Sequence, residues 1–188
     1  MKAIICQKYG PPELLRLQEV EKPTPKNNEV LIEVHAASLN AYDWHLTTAD
    51  FFVVRLMGGG FFKPKTPIPG ADVAGRVSAV GKDVTQYQPG DEVFGDLAAC
   101  GNGALAEYAL ATEAVLAPKP NSLTFEEAAA VPMAALTALQ GLRDEGQIQP
   151  GQKVLVNGAS GGVGTFAVQI AKAFGAEVTA VTSTGKMD

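Results

Sequence analysis

The sequence predicts an α/β chain: a β-rich N-terminal part folded as a compact β-barrel-like domain over residues 1–122, then the start of a second domain over residues 123–188. Three observations predict this. Short runs of alternating apolar and polar residues, parted by glycine- and proline-containing turns, fill the chain to about residue 117. The composition then shifts from β-branched alternation to alanine-rich stretches. Finally, residues 153–182 place a short apolar run, a cluster of glycines, a stretch of helical periodicity and a second short apolar run in succession, which is the pattern of a βαβ unit.

In order, Lys2–Gln7 and Leu15–Val20 read as strands around a turn at Gly10, Pro11 and Pro12. Glu21–Asn28 is a proline-rich polar connection. Glu29–Ala36, with Val30, Ile32 and Val34 alternating, reads as a half-buried strand. Ser38–Thr48 is a loop that runs into a short helix. Phe51–Thr66 carries four phenylalanines, Leu56, Met57 and three consecutive glycines. It reads either as a hydrophobic loop packed on its own domain or as a mobile flap whose aromatics wall a substrate cleft. Asp72–Val80 alternates as a strand, and turns at Gly81-Lys82-Asp83 and Pro89-Gly90-Asp91 lead to Glu92-Val93-Phe94. Ala104–Ala111 and Ala114–Ala117 close the β-rich part, and no long period repeats. Pro118–Asn121 is the hinge. Thr124 stands three residues before Glu127, the spacing of a capping box, at the head of a short helix ending near Ala130. Pro132 starts another helix, to about Arg143.

The βαβ unit carries the chemistry. Lys153–Asn157 reads as a buried strand, and Gly158, Gly161, Gly162 and Gly164 follow it. Val163, Phe166, Ala167, Ile170, Ala171 and Phe174 then share one helix face, Gly175 stops the helix, and Glu177–Thr182 reads as the second strand. Because Gly161 and Gly162 have no Cβ atoms, the backbone of Ser160, Gly161, Gly162 and Val163 can close on a pyrophosphate, which the helix N-terminus meets with N–H donors and the positive end of its dipole. The ligand this predicts is a dinucleotide. An NAD site usually has Asp or Glu at the end of its second strand, about 20 residues past the glycines, to hold the ribose 2′-hydroxyl. Here that place reads Thr182, Ser183, Thr184, Gly185, Lys186, and Glu177 is at the wrong end of the strand. Nothing there repels a 2′-phosphate, the hydroxyls can donate to it and Lys186 can make a charge-assisted bond, so the expected cofactor is NADPH. The alternative is a polar loop without selectivity.

The 188 residues are 46% hydrophobic and 19% charged, with a formal net charge of −5. That balance argues against a nucleic-acid partner. The N-terminal apolar run is too short for a signal peptide and no stretch approaches a membrane span, so the expected setting is cytoplasmic, without a membrane partner. Cys6 and Cys100 lie far apart without metal-ligand spacing, and read as a small buried hydrophobe and a loop residue. His35 and His45 read as strand or surface histidines, with His45 the more interesting because it neighbours Asn40 and Tyr42.

Taken together, Gly151-Gln152, Leu155, Ala159-Ser160, Gly161-Gly162-x-Gly164, Gln169 and Lys172 resemble the signature of the quinone oxidoreductase and ζ-crystallin family, within the medium-chain dehydrogenase/reductase superfamily. Upstream, EVLIEVHAASLN, PGADVAGRVSAVG, PGDEVFG and GALAEYAL resemble the GroES-like catalytic domain of the same superfamily. The resemblance covers essentially the whole chain. It implies a GroES-like β-barrel domain followed by the truncated start of a Rossmann dinucleotide-binding domain, since such a domain needs about six strands and two are present. The chain is therefore expected to be an N-terminal fragment of a longer enzyme, inactive by itself, with Val154, Val156, Val178 and Val181 exposed and prone to self-association.

Zinc members of the superfamily hold catalytic zinc with Cys, His and Cys. Asn40 stands at the first of these positions, and the usual Gly-His-Glu reads Gly70-Ala71-Asp72. An amide and a methyl group do not replace thiolate and imidazole, so no metal is expected. The resemblance implies hydride transfer from NADPH to a quinone or to the β-carbon of an α,β-unsaturated carbonyl, a small-molecule substrate, and a homo-oligomer, a dimer, at full length. Asn40 and Tyr42 are its catalytic candidates. Thr137 matches a family threonine near the nicotinamide ribose, and Asp43 and Trp44 read as structural. Two alternatives stand beside it: a non-catalytic GroES-like binding or structural module, and an enoyl-thioester reductase.

Overall fold

The computed structural model describes residues 1–50, 52–55 and 60–186. It divides into two compact units, Met1–Pro132 and Met133–Asp188.

In the first unit, β1 (Lys2–Ile5) pairs antiparallel with β2 (Arg16–Glu19). Five further strands, β3 (Glu29–Ala37), β4 (Asp72–Val80), β5 (Glu92–Asp96), β6 (Tyr108–Thr112) and β7 (Leu116–Pro118), form an antiparallel sheet in the order β6-β3-β4-β5-β7. A bridge between Ala3 and Ala106 ties β1 to the approach of β6. Between β3 and β4 run α1 (Ala41–Thr48) and a single helical turn, α2 (Phe52–Val54).

The alternation in the sequence becomes two-sided burial. Val30 and Ile32 of β3, Val73 and Val77 of β4, Val93 of β5, and Ala109 and Ala111 of β6 share one core with Leu97 and Ala104. On the other face Ala74 receives α3 (Phe125–Ala129) through Ala128 and Ala129, with Phe94, Leu123 and Phe125 around them. The capping box forms: Glu127 Oε2 accepts from the Thr124 N–H at 2.8 Å, and Thr124 Oγ1 accepts from the Glu127 N–H at 3.2 Å. Because α3 buries its alanines on this sheet, the first unit runs on to Pro132, whereas the change of composition lies near residue 122.

Residues 104–111, expected as one strand, pair as a strand only from Tyr108. The left-handed backbone at Asn102 (φ 66°) and Gly103 (φ 117°) turns the chain there. The N–H groups of Ala104 and Leu105 then go to Gly70 O and Pro69 O rather than to a neighbouring strand.

In the second unit, α4 (Pro132–Leu139) continues into a π-helical turn at Gln140–Glu145. β8 (Lys153–Asn157) and β9 (Glu177–Val181) pair in parallel through α5 (Gly162–Ala173). Two glycines are needed where the helix starts. Gly158 takes a left-handed φ of 76°, and its N–H and that of Ala159 both reach Val181 O at 3.0 Å. A Cβ on Gly164 would lie 2.8 Å from the Ala159 Cα, so only glycine lets α5 close against the turn.

The valines expected to be exposed divide differently. Val154, Val156 and Val178 share the face that α5 covers; Val156 is buried and the other two are half-buried. Their strand neighbours Leu155 (67% exposed) and Val181 point to the opposite, open face. Val163, expected on the buried stripe of α5, is exposed, because it sits in the first turn; the buried positions of the helix are Gly164 and Ala171.

Candidate functional site

Two sets of polar groups stand out, one in each unit. In the second unit, Gly161 caps α5 with extended backbone (φ −80°, ψ 168°), and no side chain bonds the cap. The leading N–H groups of a twelve-residue helix are thus left for a ligand, and Ser160, Gly161, Gly162 and Val163 are all exposed. Ser160 Oγ accepts from Thr182 Oγ1 at 2.7 Å, which joins the glycine turn to the end of β9. Ser183, Thr184 and Lys186 follow, exposed, in a tight turn in which the Lys186 N–H bonds Ser183 O at 2.9 Å. Glu177 lies at the opposite end of β9.

A Cβ on Gly162 would meet only the Ala134 Cβ, at 4.0 Å, so α4 runs beside the turn. Thr137 lies one turn further along α4, exposed, with Oγ1 donating to Met133 O at 2.7 Å. Uncapped N–H groups, missing Cβ atoms and a rim of hydroxyls ending in a lysine are the donor set that a phosphate-bridged nucleotide requires.

In the first unit, a cleft of about 890 Å³ is lined by Tyr42, His45, Val53, Thr66, Ala99 and Asn102, among others. Burial pushes the Tyr42 phenol up from its ordinary pKa; a side-chain hydrogen bond with Asn102 pulls it back, and the charges of Asp96 and Asp43 push it up again. Tyr42 therefore keeps its proton at neutral pH and serves as an O–H donor. The Asn102 Oδ1 in the same wall is buried without a hydrogen bond.

Asn40 does not line this cleft. It is the N-cap of α1, and its backbone N–H donates to Asp43 Oδ2 at 2.8 Å. Its side chain turns to Asp72: the Asn40 Nδ2 donates to Asp72 Oδ2 at 3.0 Å and to Ser38 Oγ at 3.2 Å, and Ser38 Oγ donates to Asp72 Oδ2 at 2.9 Å. Asp72 is fully buried. Asp43, also buried, closes the start of α1. Burial pushes its pKa up, against the pull of the backbone N–H groups of Asn40, Ala71 and Gly70, and Oδ1 has no hydrogen bond of ordinary geometry. Asp43 is thus a structural carboxylate, while Trp44 beside it is half exposed.

The structure brings Tyr42 and His45 to one cleft, and joins Ser160 to Thr182 beside Gly161, Gly162 and Val163. His45 exceeds its expected role as a surface histidine: it lines the cleft, and its Nδ1 lies 3.0 Å from Asp50 Oδ1. The signal available in the sequence was the His-to-Asp spacing across the end of a short helix. His35 packs its ring on Phe125, with centroids 4.3 Å apart. Of the Phe51–Thr66 stretch, Val53, Val54, Pro64, Lys65 and Thr66 line the cleft, and Phe62 is 88% exposed. Phe51 and residues 56–59 lie outside the described residues. Among the described residues no three His, Cys, Asp or Glu side chains converge as a metal ion requires.

The model of the family described as alcohol dehydrogenase GroES-like domain matches residues 26–121. A quinone oxidoreductase of Sus scrofa is 40% identical over 186 residues, which are 98% of this chain and 53% of the relative. A 2-methylene-furan-3-one reductase of Solanum lycopersicum is 41% identical over 197 residues, covering 100% of this chain and 49% of the relative. Among solved structures, the CurK enoyl reductase matches with a TM-score of 0.88 at 36% identity, over 98% of this chain and 55% of that one. The chain thus spans about half the length of the curated relatives it matches.

Proposed function

This chain belongs to the alcohol dehydrogenase GroES-like domain family, and from that premise we propose that the protein carrying it is a zinc-independent, NADPH-dependent oxidoreductase that reduces quinones or α,β-unsaturated carbonyls. The observation that carries the reading is the exposed, uncapped start of α5, joined by the Ser160–Thr182 hydrogen bond to a strand end that bears hydroxyls and Lys186 and no carboxylate. Ser160, Gly161, Gly162 and Val163 hold the pyrophosphate. Thr182, Ser183, Thr184 and Lys186 hold the 2′-phosphate, and Thr137 serves the ribose on the nicotinamide side.

When bound, the nicotinamide supplies the hydride. Tyr42 donates its O–H to the acceptor oxygen as negative charge develops there, and the apolar walls of the cleft strengthen that bond by excluding water. His45, paired with Asp50 in the same cleft, is a second polar group beside the acceptor. Zinc independence is supported by the polarity of the donor set: Asn40 presents N–H groups to Asp72, and Ala71 presents a buried methyl. The cellular setting is cytoplasmic and the working form a dimer in this reading.

The test is a titration of the full-length protein with NADPH and NADH, followed by an acceptor panel of quinones, enones and enoyl thioesters. The reading expects turnover with NADPH, and a loss of about tenfold in NADPH affinity on Lys186→Ala with NADH unchanged, the size of one charge-assisted hydrogen bond. Equal affinities for the two nucleotides sink the NADPH assignment. The likeness to the CurK enoyl reductase favours enoyl thioesters as a second acceptor class, and preference for them over quinones in the panel decides for it. A full-length protein that oxidises no reduced nucleotide with any acceptor decides for a binding or structural module instead.

A further inference from the structure

We propose that Asn102 is a positioning residue: its side-chain N–H donates to the Tyr42 oxygen and so leaves the Tyr42 O–H directed into the cleft of the first unit, for the carbonyl oxygen of the substrate. The inference deepens the oxidoreductase reading above and rests on it.

Two features count against a side chain at position 102. The backbone there is left-handed (φ 66°), between Gly101 (φ 94°) and Gly103 (φ 117°), so Asn102 bears the one Cβ in three successive left-handed residues. Its Oδ1 is buried and takes no hydrogen bond, which costs stability. A glycine would fit the same backbone and bury no orphan carbonyl. The asparagine is therefore carried for the other end of its amide.

That end meets Tyr42. Both side chains line the cleft, and they share a hydrogen bond. Since Oδ1 takes none, the bond runs from the Asn102 Nδ2 to the Tyr42 oxygen. A phenol has a single proton, and Tyr42 does not use it on Asn102. The two carboxylates whose charges reach Tyr42 are engaged by backbone groups: Asp96 Oδ1 accepts from the Ala98 N–H at 2.8 Å, and Asp43 Oδ2 from the Asn40 N–H at 2.8 Å. The cleft is where a new acceptor for the O–H arrives. A donor behind the Tyr42 oxygen also strengthens the bond in front of it, because hydrogen bonds in a chain polarise one another. Asn102 thus acts on the substrate through Tyr42.

The test uses full-length protein and the variants Asn102→Gly, Asn102→Asp and Tyr42→Phe. Asn102→Gly should lower kcat about tenfold, the size of one hydrogen bond, and leave NADPH affinity unchanged. Its Tm should stay or rise, because the buried carbonyl and the left-handed Cβ leave together. Asn102→Asp should lower kcat about 100-fold, because a carboxylate accepts the Tyr42 O–H and reverses the polarity of the pair. In a Tyr42→Phe background Asn102→Gly should have no further effect, since it acts through the missing hydroxyl. The phenol resonance of Tyr42, assigned by its loss in Tyr42→Phe, should titrate at higher pH in Asn102→Gly, with the charges of Asp43 and Asp96 left in place. Wild-type kcat in Asn102→Gly overturns the inference. A fall in Tm overturns it too, because it assigns Asn102 to the fold, as does an additive loss in the double variant. An unmoved Tyr42 titration overturns it whether or not the protein turns over. A wild-type protein that reduces none of the quinones, enones or enoyl thioesters sinks the oxidoreductase reading itself.

Discussion

Two helices in this chain begin in opposite ways. α1 starts on Asn40, whose N–H is taken by the carboxylate of Asp43, so the positive end of the helix is met by its own chain. α5 starts on Gly161 with no side chain at the cap, and its first residues are exposed. A helix start that the chain neutralises is a structural corner. One that the chain leaves open, on a longer helix and with the Cβ atoms removed, is a place for an outside anion. The difference teaches where to look for the phosphate site, and it can be broken from either side.

The largest effect should come from giving α5 a cap of its own. The backbone at Gly161 already has the extended geometry of an N-cap, and a Cβ there would lie 3.3 Å from Gly158 O, a tight but tolerable contact. Gly161→Asp should lower NADPH affinity in the full-length protein at least about 100-fold, because a carboxylate occupies the donors and repels the phosphates, while the cap offsets the strain and keeps Tm close to wild type. Retained affinity, measured by fluorescence titration, would remove α5 as the phosphate site.

The converse change opens α1. Asp43→Ala removes the cap and leaves the N–H of Asn40 without its acceptor, at a cost of about 2 kcal/mol to the first unit, read by denaturant unfolding. Thr124→Ala is the calibration: it breaks the capping box of α3, a short helix with no ligand role, and should cost about 1 kcal/mol in the same experiment.

The smallest effect is a slope. Burial holds the Asp43 pKa above its ordinary value, so folding favours the protonated form. Below the unfolded value, about 4, both states are protonated and this contribution is fully present. As pH rises through the raised native value the unfolded chain has already ionised, and the contribution is lost. Plotted against pH, the stability of wild type should therefore fall relative to Asp43→Asn across that window and run parallel to it above. A wild-type curve that rises relative to the variant would reverse the assignment of burial as the dominant cause.

How much of this was legible in the sequence follows the distance between partners along the chain. The βαβ turn was readable almost to the residue, because β8, the glycines, α5 and β9 are neighbours in sequence and each carries its own periodicity. The capping box of α3 was readable for the same reason, since three residues hold it. The Ser38–Asn40–Asp72 network was not, since it joins residues 32 and 34 positions apart through a strand pairing that no local pattern announces. Val163 and Val156 show the limit of periodicity: it identifies a buried stripe but not which turn of a helix, or which face of a two-stranded sheet, stays open.

Cys6 lines the cleft of the first unit, and burial holds its thiol above the ordinary pKa. Enones are electrophiles, and a thiolate in their path is alkylated by them. A thiol kept protonated by burial is a poor nucleophile at neutral pH. The packing that tucks Cys6 in beside β1 therefore has a chemical consequence under the function proposed above: an enone acceptor entering this cleft would meet a protonated thiol, which it alkylates slowly.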